Sequence, residues 1–285
     1  MGVAMDRTRK FSLFVCSARA CIGLFRIRSI ESLQYRAAAL SSGSISVFWA
    51  LIEITVYTVF YRYAAHREAA TLTLAQMVSY IWLGQTLVPL HPLSIDDELL
   101  AKINSGDVGV ELCRPLDLYF HWFAKSAAGR VGRFWWRALI TLGIGLLMPG
   151  PLRLGAPVSA AGLIMFLVSV ASTFLLSAAY GMLVTAVRLG ITWGDGPTYM
   201  MMLVGGVLSG GYLPLPLWPD FMQGFLYVQP FAGYLDLPVR FYVGAIPPGR
   251  AAATIALQLG WTLLFVCAGR LVMRGRLRGV IIQGG

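Results

Sequence analysis

The sequence predicts an all-α polytopic membrane protein with six transmembrane helices, and three observations carry that reading. Hydrophobic residues make up 57% of the 285 positions and charged residues only 13%, against about 25% charged in a soluble domain. Several runs of about 20 residues are nearly free of charge, the length a helix needs to cross the hydrocarbon core. The basic residues also gather on alternate connections between those runs. With a mean hydropathy of +0.69, the chain has too little charge to cover a water-facing surface. Disorder, collagen-like repeats and small disulfide-stapled folds are excluded by the same composition. The net charge of +10 points to no nucleic acid, because in a membrane protein the placement of charge matters more than its sum.

Taken in chain order, the first element is an amphipathic helix over about 10–37. Phe11, Phe14, Val15, Ala18, Ile22 and Phe25 recur at helical spacing, with Arg19, Arg26 and Arg28 on the polar side. Such a helix lies in the membrane interface, either as an anchor or as a surface that also touches a cytoplasmic partner. A cleaved signal is not expected, since the apolar run 11–18 is short and Arg19 interrupts it. Myristoylation is not expected either, because Asp6 stands where Ser or Thr is required.

The spans fall at about 44–63, 71–90, 134–150, 158–187, 197–213 and 251–269. The third is short and carries Arg137, and the fifth loses helical character by Pro214. An apolar stretch at 221–235 is too short for a seventh span and contains Gly224, Pro230 and Gly233. Six spans with both termini inside put eighteen basic residues on the inner side and five on the outer, as the positive-inside rule requires. A seventh would carry the C-terminal arginines outside. Residues 210–249 therefore read as outer-face structure that dips into the membrane and returns, which is tolerated where protein or a cavity surrounds it.

Residues 94–118, between spans two and three, hold the most informative pattern. Ser94 can cap a helix, and Asp96, Asp97 and Glu98 crowd a first turn where the helix dipole favours negative charge. Ile95, Leu99 and Ile103 form one apolar stripe, and Asn104-Ser105-Gly106 ends the helix. Pro115 suits the first position of a following helix running through Trp122 and Lys125 into span three. A solvated loop fits the same spacing.

On these residues a resemblance appears. Ile103-Asn104-Ser105-Gly106-Asp107-Val108, then Glu111-Leu112-Cys113-Arg114-Pro115-Leu116-Asp117, resembles the membrane permeases of ABC-2 type exporters. A second block agrees, with Leu208-Ser209-Gly210-Gly211-Tyr212-Leu213-Pro214, Trp218-Pro219, Gln229-Pro230-Phe231 and Pro238. The Gly284-Gly285 ending after a basic tail also fits. The resemblance covers nearly the whole chain and implies the layout of a type V ABC exporter, with a cytoplasmic coupling helix between spans two and three and a re-entrant outer segment between spans five and six. It implies that 95–105 docks on an ABC ATPase, with Ile95, Asp97, Leu99 and Ile103 in the coupling helix. Gly106, Asp107, Glu111, Arg114, Pro115 and Asp117 would lie in the hinge that carries motion into span three.

The chain holds no Walker A motif: none of Lys10, Lys102 and Lys125 follows a glycine. ATP and Mg are thus expected on a separate ATPase subunit, present in two copies, with no cofactor on this chain. Cys16, Cys21, Cys113 and Cys267 form no C-x-x-C, and His66, His91 and His121 are far apart, so no metal site is expected. No H-E-x-x-H or G-x-S-x-G occurs, and no catalytic residue is assigned.

Glu53 stands near the middle of span one, where an acidic group costs roughly 2.5–3.5 kcal/mol on insertion scales. Two readings stand for it: a residue of the substrate path, or a group that bonds a neighbouring helix. Gly205, Gly206, Gly210 and Gly211 allow close helix approach, either at a seam between two subunits or within one monomer.

The expectation is a permease subunit in the bacterial inner membrane, paired with a second copy or a paralogous permease and surrounded by lipid, exporting an amphiphilic or lipid-like compound. A membrane-embedded lipid-modifying enzyme and a non-transporting scaffold are the rival readings. The first needs a polar catalytic cluster. The second does not explain the capped acidic helix.

Overall fold

The structure is a computed structural model and describes residues 23, 26–27, 36–63, 72–92, 96–112, 117–191 and 194–277. Almost all of the expected interfacial helix lies outside these residues. So do Ser94, Ile95, Arg114 and Pro115. Helix accounts for 83%, and there is no strand among the described residues.

Four helices are long: α1 (Arg36–Tyr63), α5 (Leu118–Leu147), α6 (Ala160–Arg188) and α10 (Pro248–Leu277). At 1.5 Å per residue each measures about 42–45 Å. Within them the stretches Ser41–Tyr63, Ala160–Arg188 and Gly249–Leu277 are apolar and long enough to cross a membrane. Helix α5 is as long, but Lys125, Arg130, Arg133 and Arg137 load its N-terminal part with charge. It is a single continuous helix, so the segment through Trp122 and the third predicted span join without a break. Its cap is Asp117, whose carboxylate accepts from the N–H groups of Tyr119 and Phe120. The helix therefore opens at Leu118, and the expected opening at Pro115 lies outside the described residues.

Two helices are short: α2 (Leu74–Leu87) and α7 (Gly196–Leu208). They measure about 20 Å each at the standard rise, less than the hydrocarbon thickness of about 30 Å. Thr73 and Gln76 start α2 with a reciprocal capping box. A 3₁₀ turn at Val88–Leu90 ends it, with Pro89 inside and Pro92 beyond. Helix α7 stops at Leu208, and Gly210 beyond it takes φ 85°, so the fifth predicted span, 197–213, contains only the 12 helical residues 197–208.

Between α2 and α5 lie α3 (Asp97–Ser105) and α4 (Val108–Leu112). Between α7 and α10 the chain forms 3₁₀ turns at Leu215–Leu217 and Pro230–Tyr234, with α8 (Asp220–Val228) and α9 (Asp236–Tyr242). This segment packs against the long helices. The carbonyl of Gly233 accepts from Thr173 Oγ1 and Gln258 Nε2, both at 2.8 Å. Thr173 is thirteen residues into α6, about 20 Å from its start.

Helices α6 and α10 pack on one another through small and hydroxyl side chains, including the buried Ser169, Thr173 and Thr262. Close approach of this kind replaces the hydrophobic effect where lipid surrounds the helices. The outward faces carry large apolar side chains instead, such as Phe48, Trp49, Ile164, Leu167, Leu263 and Leu271. The chain is a multi-pass membrane protein.

Candidate functional site

Helix α3 begins at Asp96, whose side chain accepts from the N–H of Glu98. The expected cap, Ser94, lies two residues further out. Asp96 already has the extended φ and ψ that a cap requires, so the acidic turn supplies its own cap. Gly106 ends α3 with φ 79°, its N–H on the carbonyl of Ile103. Only glycine adopts that geometry without strain.

The apolar edge of α3 points into the protein. Leu99 is fully buried, and Ile103 packs on the same cluster with Val108, Trp122, Met182 and Met273. This cluster joins α3 and α4 to α5, α6 and α10. Two ionic links reinforce it: Lys125 pairs with Glu98, and Lys102 with Glu111. Glu111 also accepts from Trp122 Nε1. Burial pushes the Glu111 carboxyl up, but the bonds from Lys102 and Trp122 and the charges of Lys102 and Lys125 outweigh that and hold it below the ordinary carboxylate value. At the other end Arg188 donates to Asn104 Oδ1 at 2.8 Å. Arg270 reaches Asp117 at 2.8 Å, tying the cap of α5 to α10.

The opposite edge is open. Asp97, Asn104, Ser105, Gly106 and Asp107 are exposed, and Asp107 accepts from Ser105 Oγ at 2.7 Å. Val110 and Leu112 are 65% and 40% exposed. The residues singled out by sequence thus divide in two. Leu99, Ile103, Glu111 and Asp117 hold the segment to the long helices, while Asp97, Gly106 and Asp107 face outward. The sequence reading missed Glu98, Lys102, Lys125 and Trp122 as holding groups. The i, i+4 spacing of Glu98 and Lys102 was the one local signal for them.

A second feature lies where the short helices end. Glu53, midway along the apolar stretch of α1, accepts from Gln85 Nε2 of α2 at 3.0 Å. Around it open two adjoining cavities of about 210 and 420 Å³, both lined by Glu53, Tyr57 and Tyr212. The smaller reaches Tyr80, His91 and the Gly210-Gly211 turn. The larger runs along α1 to Phe60 and Leu217. Sequence order puts His91 at the inner end of the second predicted span and Tyr212 at the outer end of the fifth. The structure stacks them edge to face, with ring centroids 6.4 Å apart. Neither α2 nor α7 is long enough to keep them on opposite sides.

The glycines singled out by sequence lie against other parts of the same chain. A Cβ on Gly205 would lie 2.8 Å from Pro92 and 2.9 Å from Phe231. One on Gly210 would lie 2.7 Å from the Tyr80 hydroxyl, and one on Gly211 2.6 Å from His91 Nε2. Gly206 is buried as well. These four residues pack the chain against itself.

Behind Tyr80 sits a buried polar group. Its hydroxyl donates to Asp236 Oδ1 at 3.3 Å, Arg240 approaches Asp236 Oδ2 at 3.6 Å, and the Arg240 guanidinium lies 4.0 Å from the centre of the Tyr227 ring. Ser209, 3.0 Å from His91 Nε2, donates to the Gly206 carbonyl and accepts from the Gly211 N–H. Fully buried and committed to that turn, it is not placed as a nucleophile. Among the described residues no group of three His, Cys, Asp or Glu could hold a metal ion.

In the comparison with protein families, a model described as ABC-2 family transporter protein matches residues 47–281. No curated protein and no solved structure matches the chain.

Proposed function

The chain belongs to the ABC-2 family of transporter proteins, and from that premise we propose that it is the permease subunit of an ATP-driven exporter. The observation that carries the proposal is the construction of α3 and α4. A short capped helix sits off the ends of the long helices, buried on one edge and open on the other. Its buried edge touches α5, α6 and α10 together, so a push on the open edge is delivered to three long helices at once. This is the arrangement a coupling helix needs.

In this reading six segments cross the membrane, with both termini in the cytoplasm. Two ATPase subunits bind ATP and Mg, and each docks on the open edge of one α3–α4 segment. Ile95, Arg114 and Pro115 belong to the same region by sequence. A second permease, identical or paralogous, completes the path. Closure of the ATPase pair moves α3, and the Glu98–Lys125 ion pair and the bond from Trp122 to Glu111 carry that movement into α5. The cavities beside Glu53 form part of the substrate path. Irregular backbone at 209–217 fits such a place, because non-helical chain within a membrane is tolerated where it lines a cavity.

The test is co-purification in mild detergent with the ABC ATPase encoded beside this gene, then ATPase assay in lipid. A stable complex whose hydrolysis is stimulated by the permease, and loses that stimulation in Asp107→Ala or Arg114→Ala, supports the reading. A chain that purifies without the ATPase overturns it. For Glu53, transport and assembly that are both unchanged in Glu53→Gln remove it from the path.

A further inference from the structure

The cavities beside Glu53 have a chemistry at odds with the chain around them. The protein carries ten more basic than acidic side chains, yet among the described residues that line the two cavities there is no Lys and no Arg. Glu53 is the sole acid there, and it faces both spaces. One of its oxygens accepts from Gln85, and among the described residues no basic side chain pairs with it. An acidic group in an apolar helix normally finds a partner. Here the room left for one is the cavity.

The rest of the lining fits the same ligand. Tyr57 and Tyr212 flank Glu53 in both cavities, and Phe60 continues the aromatic wall into the larger one. Aromatic rings attract a cation through their quadrupole, most strongly when water is excluded. Beyond them Ile52, Val56, Leu213 and Leu217 are apolar. An anion would meet a carboxyl and no counter-charge. The larger cavity, about 420 Å³, lies in the range of small-molecule sites, about 300–1,000 Å³.

Resting on the permease reading above, we infer that the substrate is a cationic amphiphile, with an ammonium-type group seated between Glu53, Tyr57 and Tyr212 and an apolar body along Phe60 and Leu217. This narrows the substrate from any amphiphile to one sign of charge.

The experiment uses the full chain in lipid nanodiscs, with empty nanodiscs subtracted. The probes are tetraphenylphosphonium and tetraphenylborate, matched in shape and opposite in charge. The expected result is saturable binding of the cation alone, about tenfold or more weaker in Glu53→Gln and retained in Glu53→Asp. Equal binding of the two ions by the unaltered protein overturns the inference, and that comparison needs no variant to fold. Unchanged cation binding by folded Glu53→Gln overturns it too. The permease reading is judged separately: an ATPase complex that forms while cation selectivity is absent sinks the substrate class alone, and cation selectivity without an ATPase partner sinks the coupling.

Discussion

The side-chain amide of Gln258, on α10, donates to the carbonyl oxygen of Gly233 at 2.8 Å. The same nitrogen reaches Thr173 Oγ1 at 3.0 Å, and the Gln258 carbonyl accepts from Ser169 Oγ at 3.1 Å. One buried side chain therefore joins α6, α10 and the 3₁₀ turn at Pro230–Tyr234. Gly233 fits there because a Cβ would lie 2.8 Å from Leu176. Replacing Gln258 with Leu keeps the volume but leaves the Gly233 carbonyl with the Thr173 hydroxyl alone and takes the acceptor from the buried Ser169 hydroxyl, at about 1–3 kcal/mol for a buried group left unsatisfied. Gln258→Leu is expected to lower the unfolding temperature in detergent; an unchanged temperature removes this anchor from the account.

Gly181 and Arg130 form a comparable fit between α5 and α6. Arg130 is fully buried, its Nε donating to Ser177 Oγ at 2.7 Å. A Cβ on Gly181 would stand 2.5 Å from its Nη2. Gly181→Ala should destabilise by about 1–3 kcal/mol, the usual cost of overpacking. In Arg130→Met the added methyl has room, so the second change should cost less there than in the wild-type background. Thermal unfolding of the two single variants and the double measures that coupling, and additive losses would contradict it.

Much of this was legible in the sequence because the signals are local. The Asn104-Ser105-Gly106 run ends α3 where it stands, and Gly106 has the positive φ that such a stop requires. Pro89, Pro92, Gly210 and Pro214 mark both helix breaks. What the breaks build was not legible. His91 and Ser209 are 118 residues apart and Glu53 and Gln85 are 32 apart, and no periodicity reports such pairings. The glycines announce close approach but not its partner, so a seam between subunits and packing within one chain read alike. Ser94 and Asp96 are both competent caps, and sequence alone does not choose between them.

The latch at Glu111 has a defined pH dependence. Its folded carboxyl titrates below the ordinary value of 4.5 because Lys102 and Trp122 hold the charged form. Below that ordinary value the unfolded chain binds the proton first, so the stabilisation is complete above it and drains away as pH falls through the folded value. The difference in unfolding temperature between wild type and Glu111→Gln should be constant from neutral pH down to the ordinary value and shrink below it. A difference that instead shrinks toward alkaline pH would contradict the direction of the shift.

The open edge of α3 and α4 makes the sharpest separation between folding and coupling. Val110 is 65% exposed and Leu99 is fully buried, although both belong to the same segment. A charge at Val110 leaves the buried cluster untouched, and exposed substitutions usually stay within about 0.5 kcal/mol. Leu99→Ala empties part of the cluster shared with Trp122 and Met273, at about 2–5 kcal/mol. Val110→Asp should therefore keep the wild-type unfolding temperature and lose co-purification with the ATPase, while Leu99→Ala should lower the temperature as well as the yield of complex. An ATPase that still binds Val110→Asp at wild-type yield would place the docking surface elsewhere. Exposed apolar side chains at Val110 and Leu112 would then need another partner.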